Sequence, residues 1–282
     1  MSREALERAF AESGLPGAVA LVADRDGVRF VEAFGHADAT TGAEMEVDTV
    51  FQIASMTKAI VSAGAMQLVE NGKLDLDAPI GDLLPQLANP QVLTGFSDSG
   101  EPQLRPASRP ITLRHLLTHT AGLGYFFIRP EVLRYFAATG MPAPGSLASI
   151  QMPRLFDRGE NWEYSVATDW VGLAVEAASG KRLGEYLQAN LLDPLGMSST
   201  AFLDALPDDA AKVHARTPEG GLAVQPMFLG GGEFEMGGGG LSSTAHDYGR
   251  FVRMMLRGGE LDGNRVLAEA TVAEMARNQV AP

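Results

Sequence analysis

"FQIASMTKAIVSAGAMQLVENG", residues 51–72, is apolar around almost every turn of a helical repeat, yet it carries Ser55 near its start and Lys58 three residues later. Residues three apart on a helix share a face, with Cβ atoms about 5–6 Å apart, so the amine can reach the hydroxyl. A serine hydroxyl is a poor nucleophile at neutral pH and needs a neighbouring base. A lysine serves as that base only where desolvation or nearby positive charge lowers its pKa, and Met56, Ala59 and Ile60 are the expected apolar surroundings. A helix start adds unpaired N–H groups and partial positive charge, which favour an oxyanion at Ser55. The same tetrapeptide also describes a serine that merely caps the helix, worth about 1 kcal/mol, beside a lysine in water. S-x-x-K recurs by chance, so the pair takes its weight from the rest of the chain.

Outward from this helix the pattern alternates between strands and short helices. Residues 3–13 read as a helix closed by Gly14 and Pro16. "GAVALVADRDGVRFVEAFG" gives two strand-like runs about Asp26-Gly27, a dipeptide that predicts a type I′ hairpin turn. The Ser55 helix should end near Asn71-Gly72. Beyond it, "ITLRHLLTHTAGLG" predicts a short helix stopped by Gly122, and "VATDWVGLAVEAASG" a longer one with Gly180 as C-cap. In "STAHDYGRFVRMMLRGG" Thr244 and Asp247 are spaced like a capping box. Strands at the front and helices in the middle and at the back predict an α+β protein. The sheet region is expected from residues 1–72 and 225–282, with 73–224 a mostly helical insertion.

The bulk composition narrows the function classes. The chain has 282 residues, 45% hydrophobic and 20% charged, with a formal net charge of −13 and no cysteine. Nucleic acid and anionic membranes need a basic partner surface, so neither is expected. Without cysteine there is no disulfide framework, thiolate metal site or cysteine nucleophile. The charged N-terminus lacks the apolar core of a signal peptide and no apolar run is long enough to span a bilayer, which makes a cytoplasmic protein the expectation.

Three other patterns carry less. His115 and His119 have the i, i+4 spacing of a helical zinc site, but Leu116 stands where the metalloprotease motif has Glu, and no third ligand is evident. No metal and no organic cofactor are expected. There is no G-x-S-x-G elbow. The glycine run "GGGEFEMGGGG" at 230–240 lacks the ending of a phosphate loop and is read as backbone that must approach the cleft or a neighbouring strand.

Four ordered blocks, "FQIASMTKAIVSAGAMQLVENGKLDLDAPIGDLLP", "ITLRHLLTHTAGLG", "ENWEYSVATDWVG" and "LLDPLGM", together resemble the serine β-lactamase-like superfamily, most closely the family VIII carboxylesterases related to class C β-lactamases. The resemblance runs from about Gly17 to Gln279. It implies an antiparallel sheet flanked by helices, as in β-lactamases and penicillin-binding proteins. It also implies an acyl-enzyme at Ser55 with Lys58 as activating partner, and Tyr164 of the second motif as a second candidate for the base. Tyr125, in "GLGYFF", is implied to wall the acyl or alcohol side of the cleft. The implied activity is hydrolysis of a small carboxylic ester. The alternatives are a β-lactamase, D-amino-acid peptidase or acyltransferase of the same superfamily, or a non-catalytic binding or scaffold protein.

Two positions depart from that pattern. The third position of the second motif is Val166, where class C β-lactamases carry an Asn whose amide binds the lactam, and this favours esters. The third motif (K-T-G, H-x-G or W-G-G) is absent before Pro282. The expectation is therefore an incomplete sheet: a fragment of a longer enzyme, or a chain completed by a homo-oligomer or another segment, with weak activity by itself.

Overall fold

In the computed structural model, which describes residues 3–227 and 229–280, the Ser55 helix runs Thr57–Glu70 through the middle of the protein. A helix that is apolar all round has to be covered on all sides, and Ile60, Val61, Ala63 and Ala65 are indeed fully buried. It packs on the helix Ala167–Ser179 and on the short helix Leu183–Leu187. Gly64 permits that second approach, because a Cβ there would lie 2.6 Å from Leu187 Cδ2. The helix ends at Asn71 with Gly72 at φ +65°, and Ala167–Ser179 ends at Gly180 with φ +71°, both as the glycines predict. Trp170 is 1% exposed and satisfies its indole N–H on the Ile150 carbonyl at 3.2 Å.

At the front, Gly17–Ala23 pairs antiparallel with Val28–Asp38, which pairs in turn with Ala43–Glu44. The hairpin forms where expected, but its turn is not type I′: neither Asp26 nor Gly27 has positive φ. Asp24 takes over instead, its carboxylate accepting the N–H groups of Asp26 and Gly27 at 2.9 and 3.1 Å, an Asx-type turn that makes left-handed residues unnecessary. Helix Arg3–Ser13 lies against the hairpin through Phe10 and Phe34, 5.5 Å between ring centres. Helix Ala245–Leu256 lies against it with Gly249 close to Leu21. Among the described residues Gly17–Ala23 is an edge of this sheet.

A second small sheet positions the site. Leu241–Ser243 lies between Phe51–Gln52 and Ala201–Phe202. Within residues 73–224 there are also the hairpins Gln91–Phe96 with Pro102–Pro106 and His214–Arg216 with Leu222–Val224. The anticipated capping box at Thr244 is only half formed. Thr244 Oγ1 accepts the Asp247 N–H at 3.2 Å, while the Asp247 carboxylate turns away to the Ser199 N–H and Thr200 hydroxyl at 2.7 and 2.9 Å. Among the described residues no helix is long and apolar enough to cross a membrane.

Candidate active site

Ser55 stands on the turn that converts the strand Phe51–Gln52 into the helix Thr57–Glu70. Leu241 holds both sides of that turn: its carbonyl accepts the Ile53 N–H at 3.0 Å and its N–H donates to the Thr57 hydroxyl at 3.1 Å. Between these anchors Ala54 adopts φ +44°, a left-handed conformation uncommon outside glycine. Ser55 is exposed and Met56 is the helix N-cap, so the serine is not the cap that the sequence suggested.

Lys58 is half-buried, and its Nζ donates in three directions. These are to Ser55 Oγ at 3.2 Å, to the Tyr125 hydroxyl at 3.2 Å and to the Gly238 carbonyl at 2.6 Å. It also sits over the ring of Tyr164, 4.7 Å from the centroid, within the range of a cation–π contact. The apolar neighbours expected for this lysine are only partly there: Ile60 is buried, but Met56 and Ala59 are exposed. Its surroundings are the two tyrosines and the glycine run, which come from distant parts of the chain. Tyr125 thus touches the lysine with its hydroxyl, while its ring stacks on Phe127 at 4.7 Å. Burial first, then the Asp169 carboxylate, raises the pKa of Tyr125 well above the usual phenol range.

The glycine run approaches the cleft, as read from the sequence. Gly238 receives Lys58 on its carbonyl and gives its N–H to Asp169 Oδ1 at 2.8 Å. A Cβ on Gly238 would stand 2.7 Å from Asp169 Oδ2, so only glycine fits there. Asp169, in the first turn of Ala167–Ser179, is 2% exposed. Burial lifts its carboxyl to about 6, against the pull of the Gly238 N–H and the Lys58 ammonium. Neither Asp169 nor Gly238 was singled out from the sequence. The available signal was an aspartate in an otherwise apolar helical turn five residues after Tyr164, a place where burial forces a partner. Val166, by contrast, is 5% exposed and belongs to the core, so that position presents no amide to the cleft.

His115 and His119 do not face a common point. The helix predicted to run to Gly122 stops at Leu117, and His119 turns left-handed at φ +58°. His115 Nδ1 pairs with the Thr112 hydroxyl at 2.6 Å and His119 Nδ1 with the Ser165 hydroxyl at 3.2 Å. Among the described residues no group of three His, Cys, Asp or Glu side chains is placed to hold a metal ion. Burial takes both imidazoles down to about 4, helped by Arg158 at His115 and by Lys58 at His119.

That depression has a consequence for stability. The unfolded chain takes up both protons as pH falls through about 6.5, the folded chain only near 4. Their contribution is therefore complete above pH 6.5 and is lost progressively between 6.5 and 4. Asp169 and Glu176, both raised by burial, act with the opposite sign. The histidines' share is thus read as a difference: the urea midpoint should fall more steeply from pH 6.5 to 4 in the parent than in a His115→Gln/His119→Gln variant. Equal slopes would show that the two histidines are not held neutral.

A family model described as Beta-lactamase matches residues 3–282. Monacolin J acid methylbutanoyltransferase of Aspergillus terreus is 34% identical over 269 residues, covering 90% of this chain and 65% of that protein. Lovastatin esterase of Penicillium rubens is 33% identical over 282 residues, covering 94% of this chain and 69% of the esterase. Among solved structures, a mutant form of Simvastatin Synthase from Aspergillus terreus superposes with a TM-score of 0.87 at 34% identity, covering 99% of this chain and 70% of that one. The chain thus spans about two thirds of the length of these relatives. Its arrangement of helices and antiparallel strands is the α+β fold of β-lactamases and penicillin-binding proteins, and the chain belongs to the Beta-lactamase family.

Proposed function

We propose that the chain is a carboxylesterase-type serine hydrolase that takes an acyl group from a small carboxylic ester onto Ser55 and releases it to water. The observation that carries this reading is the 3.2 Å approach of Lys58 Nζ to Ser55 Oγ at an exposed turn. As the Ser55 Oγ–acyl bond forms, the hydroxyl proton passes to the Lys58 amine. The ester C–O bond then breaks, and the leaving alkoxide takes up a proton, for which Tyr164 is the proposed donor. Lys58 passes its proton to the Tyr164 oxygen, which restores both groups. The amine then deprotonates a water whose oxygen attacks the acyl carbon, and the Ser55 oxygen takes that proton from Lys58 as its acyl bond breaks. The main-chain N–H of Ser55 at the turn is the proposed oxyanion donor. No metal or cofactor takes part in these steps. A fluorophosphonate tests the reading directly: mass spectrometry of the treated chain should find one phosphonyl adduct, on Ser55. No adduct at that residue would favour a non-catalytic binding protein of the same fold.

Transfer to an alcohol instead of water is a second reading, favoured by the apolar rim of the site and by the likeness to the methylbutanoyltransferase. Phe126, Phe127 and Trp162 are 45%, 67% and 54% exposed; Phe127 stacks on Tyr125 and Trp162 on Tyr164, and Phe126 stands edge-on to Phe127. Such a rim can hold a bulky alcohol while it competes with water for the acyl-enzyme. Partition of an acyl group between water and an added apolar alcohol separates the two. β-Lactam hydrolysis is the weaker alternative, because Val166 offers no amide to a lactam carbonyl. The kcat/KM for p-nitrophenyl butyrate should exceed that for nitrocefin by roughly 10²-fold, the cost of a missing polar contact in the transition state. A higher value for nitrocefin would reverse the assignment.

A further inference from the structure

Lys58 is held against Ser55 by something other than its own helix. Its shortest contact is to the Gly238 carbonyl, 180 residues away in sequence, at 2.6 Å. That carbonyl belongs to the glycine run 237–240, whose position is itself determined from one side. The Gly238 N–H is fixed by Asp169 Oδ1 at 2.8 Å, and the carboxylate lies so close beneath the Cα that no side chain fits. Gly237 is seated just as tightly, since a Cβ there would fall 2.6 Å from the Thr168 carbonyl. The residue before Asp169 and Asp169 itself therefore clamp two successive glycines onto the start of the helix Ala167–Ser179.

We propose that Asp169 is a positioning residue for Lys58: by fixing Gly238 it places the carbonyl that receives the lysine Nζ. This rests on the reading of Ser55 and Lys58 as nucleophile and base. A buried carboxylate at 2% exposure is costly unless hydrogen bonds and opposite charge compensate it. Here the compensating groups are the Gly238 N–H and Lys58, both of which belong to the reacting cluster. The groups that face this carboxylate are Lys58 from the Ser55 helix, the Tyr125 phenol from the loop after His119, and the Gly238 backbone. His119 and Tyr164 also lie beside Lys58. Burial lifts the Asp169 carboxyl to about 6 and holds His119 near 4, so Asp169 changes charge between pH 5 and 7 while His119 stays neutral there. Protonation weakens the carboxyl as acceptor for the Gly238 N–H, so the carbonyl that seats the lysine loses its fixed position as pH falls through that range.

The test compares the parent chain with Asp169→Asn, which keeps the shape and a neutral acceptor for the Gly238 N–H. Fluorophosphonate labelling of Ser55 and turnover of p-nitrophenyl butyrate are measured from pH 5 to 8. The expected result is an acid limb near pH 6 in the parent. In the variant that limb should vanish, with kcat lowered roughly 10- to 100-fold, as for loss of a group that orients a general base, and KM nearly unchanged. A carboxylate that only supports the fold would alter the urea midpoint and leave the pH profile in place. A labelled parent with a variant that matches it in kcat and pH profile overturns the proposal alone. A parent that takes no label at Ser55 overturns the underlying reading and the proposal with it. If the variant does not fold, the parent's labelling rate decides: a flat rate between pH 7.5 and 5 refutes the role, and a decline centred near pH 6 upholds it.

Discussion

Ser55→Ala is expected to remove both fluorophosphonate labelling and ester turnover while leaving the fold untouched. The change deletes one hydroxyl on an exposed turn, and the hydrogen bond from Lys58 Nζ at 3.2 Å goes with it. Ser55 does not cap the helix, a place taken by Met56 with no side-chain cap bond. The stability cost should therefore stay within about 0.5 kcal/mol, the range for exposed substitutions, below the roughly 1 kcal/mol a lost cap would bring. The catalytic cost is of a different order. Without the oxygen no acyl-enzyme forms, and kcat should fall by roughly 10⁴-fold or more, leaving only what oxyanion donors and substrate binding still contribute. Purified parent and variant are compared by turnover of p-nitrophenyl butyrate and by urea denaturation. Undiminished turnover in the alanine variant would remove Ser55 from the mechanism.

What could be read from the sequence was local. The Ser55–Lys58 contact spans three residues, a distance at which helical geometry alone brings side chains together. The same holds for the hairpin of Gly17–Ala23 with Val28–Asp38 and for the helix ends at Gly72 and Gly180. Even there, competing side chains changed the detail. The Asp24 carboxylate captured the turn from Asp26-Gly27, and Asp247 left its capping box for Ser199 and Thr200.

What stayed hidden was non-local or lacked a residue signature. Lys58 meets Tyr125 across 67 residues and Gly238 across 180, and Asp169 meets Gly238 across 69. The glycine run announced that backbone must pass close to something, but glycine names no partner. Ala54 gives no sign of its positive φ, because the strain is imposed by Leu241 holding both ends of the turn. The family resemblance supplied Tyr125 and Tyr164 as a pair of cleft residues without saying which one touches the lysine. The geometry gives the hydroxyl contact to Tyr125, while the lysine Nζ lies over both rings, 4.7 Å from the Tyr164 centroid and 5.5 Å from that of Tyr125.

That division sets the expected result for Lys58→Met, a change that keeps length and apolar bulk but removes the amine. Three hydrogen bonds go at once, to Ser55, Tyr125 and Gly238, together with the charge over the Tyr164 ring. For activity, loss of the base should lower kcat by roughly 10²–10⁴-fold, with KM less affected because Lys58 lies under the serine and not on the exposed rim. For stability two effects oppose each other. The Gly238 carbonyl loses its donor, at a cost of about 1–3 kcal/mol if it stays dry, and the Asp169 carboxylate loses the opposing charge that offsets its burial. Against this, the sulfur chain desolvates more cheaply than an ammonium. The sign is fixed by Asp169: with its countercharge gone its carboxyl moves further up from about 6. The folded variant then binds a proton at neutral pH that the unfolded chain does not, so its stability falls as pH rises from 6 to 8. A urea midpoint measured across that range should decline in Lys58→Met and stay flatter in Lys58→Met/Asp169→Asn. Tyr125→Phe, which removes one acceptor and keeps the ring, should lower kcat far less than Lys58→Met. Tyr164→Phe should fall between them if its hydroxyl delivers the proton to the leaving oxygen. A Lys58→Met chain with parental kcat would show that Ser55 finds its base elsewhere.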